Sequence, residues 1–94
     1  MKTNETYKNG QKISELNGDI LTFYYKSGAI KAKGDFINEM MHGKWLFYYE
    51  NGTLWQEAYF KKNQKDGEWK RYDKKGNLEF HAEFDSGKQI VKHK

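Results

Sequence analysis

The side chains able to do chemistry are few. The histidines are His42, His81 and His93, and there is no cysteine. His81 alternates with Glu79 and Glu83, so on a strand the three share one face. A histidine with two carboxylates is raw material for a metal site or an acid–base pair. No second histidine joins them and no nucleophile is evident, so a surface ion cluster is the better account. Asp19, Asp66, Asp73 and Asp85 stand at turns rather than at calcium-loop spacing. The glycines follow hairpin turns and form no phosphate-cradling loop. Without cysteine there is no thiolate zinc site, disulfide framework or cysteine nucleophile. The expectation is a non-enzyme with no catalytic residue, no metal and no cofactor.

Binding chemistry is better represented. Tyr24, Tyr48 and Tyr72 recur at one spacing, with Trp55 and Tyr59 close in sequence. Tyrosine and tryptophan are favoured interface anchors, so Tyr24, Tyr48, Trp55, Tyr59 and Tyr72 are the candidate partner-binding residues. The same column also serves as cross-strand packing. Lysines interleave with these aromatics, a combination that suits single-stranded nucleic acid or anionic lipid. However, 17 Lys+Arg are interspersed with 13 Asp+Glu, the net charge is only +4, and there is one arginine. That pattern disfavours both nucleic acid and membrane as partners.

The elements that position these residues follow from an internal repeat. Three ungapped segments, 19–42, 43–66 and 67–90, align with a period of 24. Gly28, Gly52 and Gly76 align, as do Leu21, Trp45 and Trp69, then Gly34, Ala58 and Ala82, then Phe36, Phe60 and Phe84. Residues 1–18 read as a degenerate unit and 91–94 as a tail, all within one domain. Each unit reads as a β-hairpin, with Asn51-Gly52 as a two-residue turn. That register sets Trp45 opposite Ala58, Trp69 opposite Ala82 and Leu21 opposite Gly34. A three-residue loop would instead move the tryptophans to the other face. In the favoured register one face carries Trp45, Trp69 and the phenylalanines with Ile30, Leu54 and Leu78. The other carries Tyr24, Tyr48, Tyr72, Trp55 and Tyr59. Gly28, Gly52 and Gly76 serve the turns; Trp45, Trp69, Gly34, Ala58 and Ala82 serve the fold. The expected architecture is all-β: a single-layer antiparallel meander of six to seven strands, elongated and twisted.

Composition agrees with a thin architecture. The 94 residues include five Leu, five Ile and one Val, while Trp, Tyr and Phe make 17%. Aromatics must therefore supply the contact area that aliphatics usually supply. The N-terminus shows no apolar signal segment, and the chain has no apolar run of membrane-spanning length. The absence of cysteine fits a reducing compartment, so the expected location is cytoplasmic, unless a signal or lipid anchor has been trimmed.

The spacing Gly43, Trp45, Tyr48, Tyr49, Asn51, Gly52, Leu54 resembles a MORN-type repeat. Gly67, Trp69, Tyr72, Gly76 and Leu78 follow it in the third unit, and Tyr24, Tyr25, Gly28 and Ile30 in the first. The likeness spans about residues 19–90 and is closest to the bacterial variant often described as a toxin–antitoxin antitoxin. It implies a non-enzymatic hairpin array that binds a protein partner, a toxin or another. Binding of an anionic polymer is the alternative. Met40-Met41 is read either as an adaptable contact or as a pair tucked under the sheet. An uncovered aromatic face would favour a homodimer.

Overall fold

The computed structural model describes residues 5–90. The tail 91–94, with His93, and residues 1–4 lie outside the described residues. The chain forms one antiparallel sheet of eight strands in sequence order, with no helix among the described residues. The strands are β1 (Ser14–Asn17), β2 (Ile20–Tyr24), β3 (Ile30–Ile37), β4 (Met40–Tyr48), β5 (Leu54–Lys61), β6 (Gln64–Tyr72), β7 (Leu78–Asp85) and β8 (Lys88–Ile90). The molecule measures 51 × 34 × 18 Å. The meander is as expected, with eight strands rather than six or seven.

The turns differ from expectation in an instructive way. Tyr49 N–H donates to Thr53 O and Gly52 N–H to Tyr49 O, so Glu50–Gly52 form a three-residue loop. The same bonds close the loops at Tyr25–Ala29 and Asp73–Asn77. Only the glycine of each loop has positive φ: Gly28, Gly52 and Gly76, at 91–92°. A primed two-residue turn would need positive φ at Ser27, Asn51 and Lys75 as well. Glycine is the residue all three loops share, so the loop type needing one left-handed position fits all three. Two-residue turns appear instead at Asn38-Glu39, Lys62-Asn63 and Ser86-Gly87, where both φ values are positive.

A three-residue loop alone would send Trp45 to the wrong face. Each hairpin corrects this with a bulge. Tyr48 pairs with Leu54 but Phe47 with Gln56, leaving Trp55 as the extra residue. Lys31 and Glu79 are the extra residues in the other two hairpins. Beyond the bulge the expected pairs return: Trp45 with Ala58, Trp69 with Ala82, Leu21 with Gly34. A bulge inserts one residue and resets which side the following ones point to. Leu54, Ile30 and Leu78 therefore oppose Tyr48, Tyr24 and Tyr72 and lie on the tyrosine face, correcting the assignment made from sequence.

The core lies on one face of the single sheet, where rings from neighbouring strands cover the backbone. Trp45 is fully buried at 0% exposure. It joins Leu21 and Ala32, with Phe23, Phe36, Met41, Phe47 and Phe60 against them. Trp69, Ala58, Ala82 and Phe84 form the second cluster, and Phe47 and Phe60 touch both. The rings meet edge-on or tilted, with Phe60 and Trp69 centroids 5.3 Å apart, as aromatic quadrupoles prefer. A Cβ on Gly34 would overlap the Trp45 indole, so glycine is required there by close approach. Both buried indole N–H groups find a carbonyl: Trp45 Nε1 donates to Asp35 O at 2.9 Å and Trp69 Nε1 to Tyr59 O at 3.0 Å. Met41 is the member of the methionine pair that tucks under the sheet. Asn63 clamps it: Asn63 N–H donates to Met41 O, and Met41 N–H donates to Asn63 Oδ1.

Candidate functional site

The two faces are unequally covered. Eight large apolar side chains are exposed among the described residues: Leu16, Ile20, Ile30, Ile37, Tyr59, Leu78, Phe80 and Ile90. Strand register places Ile20, Ile30, Ile37, Tyr59, Leu78 and Ile90 on the tyrosine face. Leu78 is the most open, at 55%. The tryptophan face keeps only Phe80 and, on the outer strand, Leu16.

Tyr24, Tyr48, Tyr72 and Tyr59 share the tyrosine face, as the repeat predicts. Glutamates hold two of them. Tyr24 Oη donates to Glu15 Oε1 at 3.1 Å, and Tyr72 Oη to Glu57 Oε2 at 3.4 Å. The hydrogen bond from Lys12, and then that from Tyr24, hold the Glu15 carboxyl below its ordinary range. Partial burial and then the Glu15 bond push the Tyr24 phenol up. In the middle repeat Lys33 occupies the position of Glu57, so Tyr48 has no carboxylate of this kind. Tyr48 instead lines a shallow cleft of about 250 Å³ with Ile30 and Gly52. The lysines are paired too: Lys44 with Glu57 at 2.9 Å and Lys70 with Glu68 at 3.3 Å.

Trp55 leaves this group. As the bulge residue it stacks on Phe47 and Tyr49, at 5.8 and 6.2 Å between centroids. It belongs with the tryptophan face, so the five candidates divide into four and one. The His81 trio also divides, because Glu79 is a bulge residue and loses the alternation that placed it beside His81. His81 Nε2 instead lies 3.9 Å from Glu68 Oε2 across the strand pair. Among the described residues no group of three His, Asp or Glu side chains is placed to hold a metal ion.

The second tyrosine of each doublet carries a role that its spacing did not announce. Tyr25 Oη donates to Tyr48 O at 2.6 Å, and Tyr49 Oη to Tyr72 O at 2.8 Å. Each hydroxyl ties one repeat to the next. Tyr7 Oη makes the same bond to Tyr24 O at 2.8 Å, so the shortened N-terminal unit joins the array in the same manner. The doublets Tyr24-Tyr25 and Tyr48-Tyr49 were the available signal: adjacent strand residues face opposite ways and must do different work.

Residues 41–62 and 65–86 each match the family model described as MORN repeat variant. The frame starts at 41 and 65 rather than 43 and 67, and the spacing is the same. No curated protein and no solved structure matches the chain.

Proposed function

We propose that the chain, two adjacent repeats of which match the MORN repeat variant, is a non-enzymatic protein-interaction module whose tyrosine face receives the partner. The observation that carries this is the unequal cover. The tryptophan face buries its two large indoles, while the tyrosine face leaves Tyr59, Ile30 and Leu78 open, with Ile30 beside Tyr48. A sheet face of half-buried tyrosines and separate aliphatic anchors has the composition of a protein interface. Two of the lysines there, Lys44 and Lys70, are paired with glutamates, which lowers the positive field that an anionic polymer would need.

The finer reading is an antitoxin that docks a cognate toxin in the cytoplasm. Pull-down from the native host, followed by mass spectrometry, tests it. A single stoichiometric partner that is toxic when expressed alone supports the reading, and recovery of RNA or lipid in its place overturns it. The combined change Tyr48→Ser and Tyr59→Ser is expected to abolish capture while the β-sheet circular dichroism stays intact.

A further inference from the structure

The tyrosine column repeats one small contact and breaks it once. At Tyr24, a carboxylate lies between a tyrosine and a lysine: Tyr24 Oη donates to Glu15 Oε1 at 3.1 Å and Lys12 Nζ to Glu15 Oε2 at 3.0 Å. At Tyr72 the arrangement recurs: Tyr72 Oη donates to Glu57 Oε2 at 3.4 Å, and Lys44 Nζ lies 2.9 Å from Glu57 Oε1. One diagonal of the sheet produces both. Glu15 pairs with Thr22 and Glu57 with Lys70, and the tyrosine stands two residues further along the partner strand. Lys33 pairs with Leu46, and Tyr48 stands two residues beyond it on the same diagonal. The middle repeat thus keeps the tyrosine but has a lysine in the carboxylate's position. Among the described residues, neither the Tyr48 hydroxyl nor the Lys33 ammonium has a hydrogen-bond or ion-pair partner. Two donors face one diagonal, and the chain supplies no acceptor between them.

The surroundings narrow the occupant. Lys33 lines a cleft of about 290 Å³ and Tyr48 one of about 250 Å³. Exposed Ile30 lines both, so an aliphatic surface adjoins the two donors. Glu15 lines the first cleft too, but Tyr24 holds one of its oxygens and Lys12 the other, so its charge is already answered. We propose that Tyr48 and Lys33 seat the side-chain carboxylate of an aspartate or glutamate of the protein partner, bridged as Glu15 and Glu57 are, with an aliphatic neighbour of that residue against Ile30. The occupant is the one that the same diagonal holds twice elsewhere in the sheet. Hydrogen bonds from a hydroxyl and an ammonium to a carboxylate are stronger than neutral ones. They also fix the register of a contact that is otherwise apolar. The proposal rests on the reading that the tyrosine face receives a protein, and it names the chemistry of that protein's contact.

The test uses the full chain and two peptides with blocked ends. One carries a glutamate and a leucine two residues apart, which an extended backbone presents on one side. The other has glutamine in place of the glutamate. The Tyr48 ring and Lys33 amide resonances supply the readout. The glutamate peptide is expected to saturate both signals and the glutamine peptide to bind about tenfold more weakly. Tyr48→Phe, which removes only the hydroxyl, and Lys33→Gln should each weaken the glutamate peptide similarly. Lys33→Glu should abolish its binding, because the chain then fills the seat itself, as it does at Tyr72. Lys74→Gln, which removes a charge from another loop, should leave the affinity unchanged. Equal binding of both peptides, no saturation at millimolar concentration, indifference to both Tyr48→Phe and Lys33→Gln, or equal competition by inorganic phosphate would overturn the proposal. Capture of the native partner separates the two readings. Capture that survives the combined Tyr48→Ser and Tyr59→Ser change overturns the tyrosine face as the docking face, even where the peptide binds. Capture that is lost there yet survives both Lys33→Gln and Tyr48→Phe overturns the carboxylate seat alone.

Discussion

The tryptophan face and the tyrosine face are made by the same strands, residue by alternate residue, yet they answer to different rules. On the first, the two core tryptophans sit over small neighbours: Trp45 over Gly34 and opposite Ala58, Trp69 between Ala58 and Ala82. On the second, side chains of similar size stand apart, joined by hydrogen bonds and ion pairs to Glu15, Glu57 and Glu68. The first face replaces the missing second layer. The second is left free for work outside the molecule. Substitutions on the two faces should therefore fail in different ways.

The sharpest way to break the comparison is Trp45→Ala. Removing a fully buried indole should cost about 3–5 kcal/mol, read by chemical denaturation. Gly34→Ala comes next. The added methyl cannot fit under Trp45, and overpacking of this kind costs about 1–3 kcal/mol. If Gly34→Ala were neutral, the large-over-small pairing would not be what covers the sheet. Tyr49→Phe removes one repeat-to-repeat hydrogen bond while keeping the ring, and should cost about 1 kcal/mol. The combination Tyr48→Ser and Tyr59→Ser should leave the sheet folded and act chiefly on partner capture, the reverse of the tryptophan face.

A pH experiment compares two loops on the same principle. Asp73 occupies the position of Tyr25 and Tyr49. The backbone N–H of Asn77 holds its carboxyl below the ordinary aspartate range, with the Asn77 side chain and the Lys75 and Gly76 backbone adding to the effect. A carboxyl lowered by folding stabilises the loop above the unfolded aspartate pKa, about 3.9. That contribution fades as the pH falls through the lowered folded value. Amide shifts of Lys75 and Asn77 should therefore move in acid more than those of their counterparts Asn51 and Thr53, whose loop has Tyr49 in place of Asp73. Asp73→Asn should abolish the difference.

The period, the hairpins and the large-over-small pairing were legible because identical letters recur in identical slots. The pairing of Trp45 with Ala58 rests in the sequence on a two-residue turn, and it survives the longer loop only because the bulge offsets it. The loop type was harder to read, because Asn51-Gly52 fits a primed two-residue turn and a three-residue loop equally well. The structure decides it: Asn51 Oδ1 accepts from Thr53 N–H, and only the glycine of each of the three sister loops is left-handed. The bulge at Trp55 leaves no compositional trace at all: its equivalents are Lys31 and Glu79, which share nothing chemically. Placing Trp55, Leu54 and Glu79 therefore required the pairing itself. The candidate site was legible where it depended on alternation away from the bulge, as for Tyr48 and Tyr59, and illegible where it crossed one.

The bulge also bears on how such a chain tolerates changes in length. Each hairpin holds one residue more than the shortest path in its loop and one more in its returning strand. The strand can surrender its extra residue when the loop loses one, and Trp45 still meets Ala58. A single-residue deletion among Glu50–Gly52 is thus absorbed within a few positions instead of inverting every side chain downstream. The array carries slack at one end of each hairpin, and that slack lets the loops drift while the tryptophan column stays in phase.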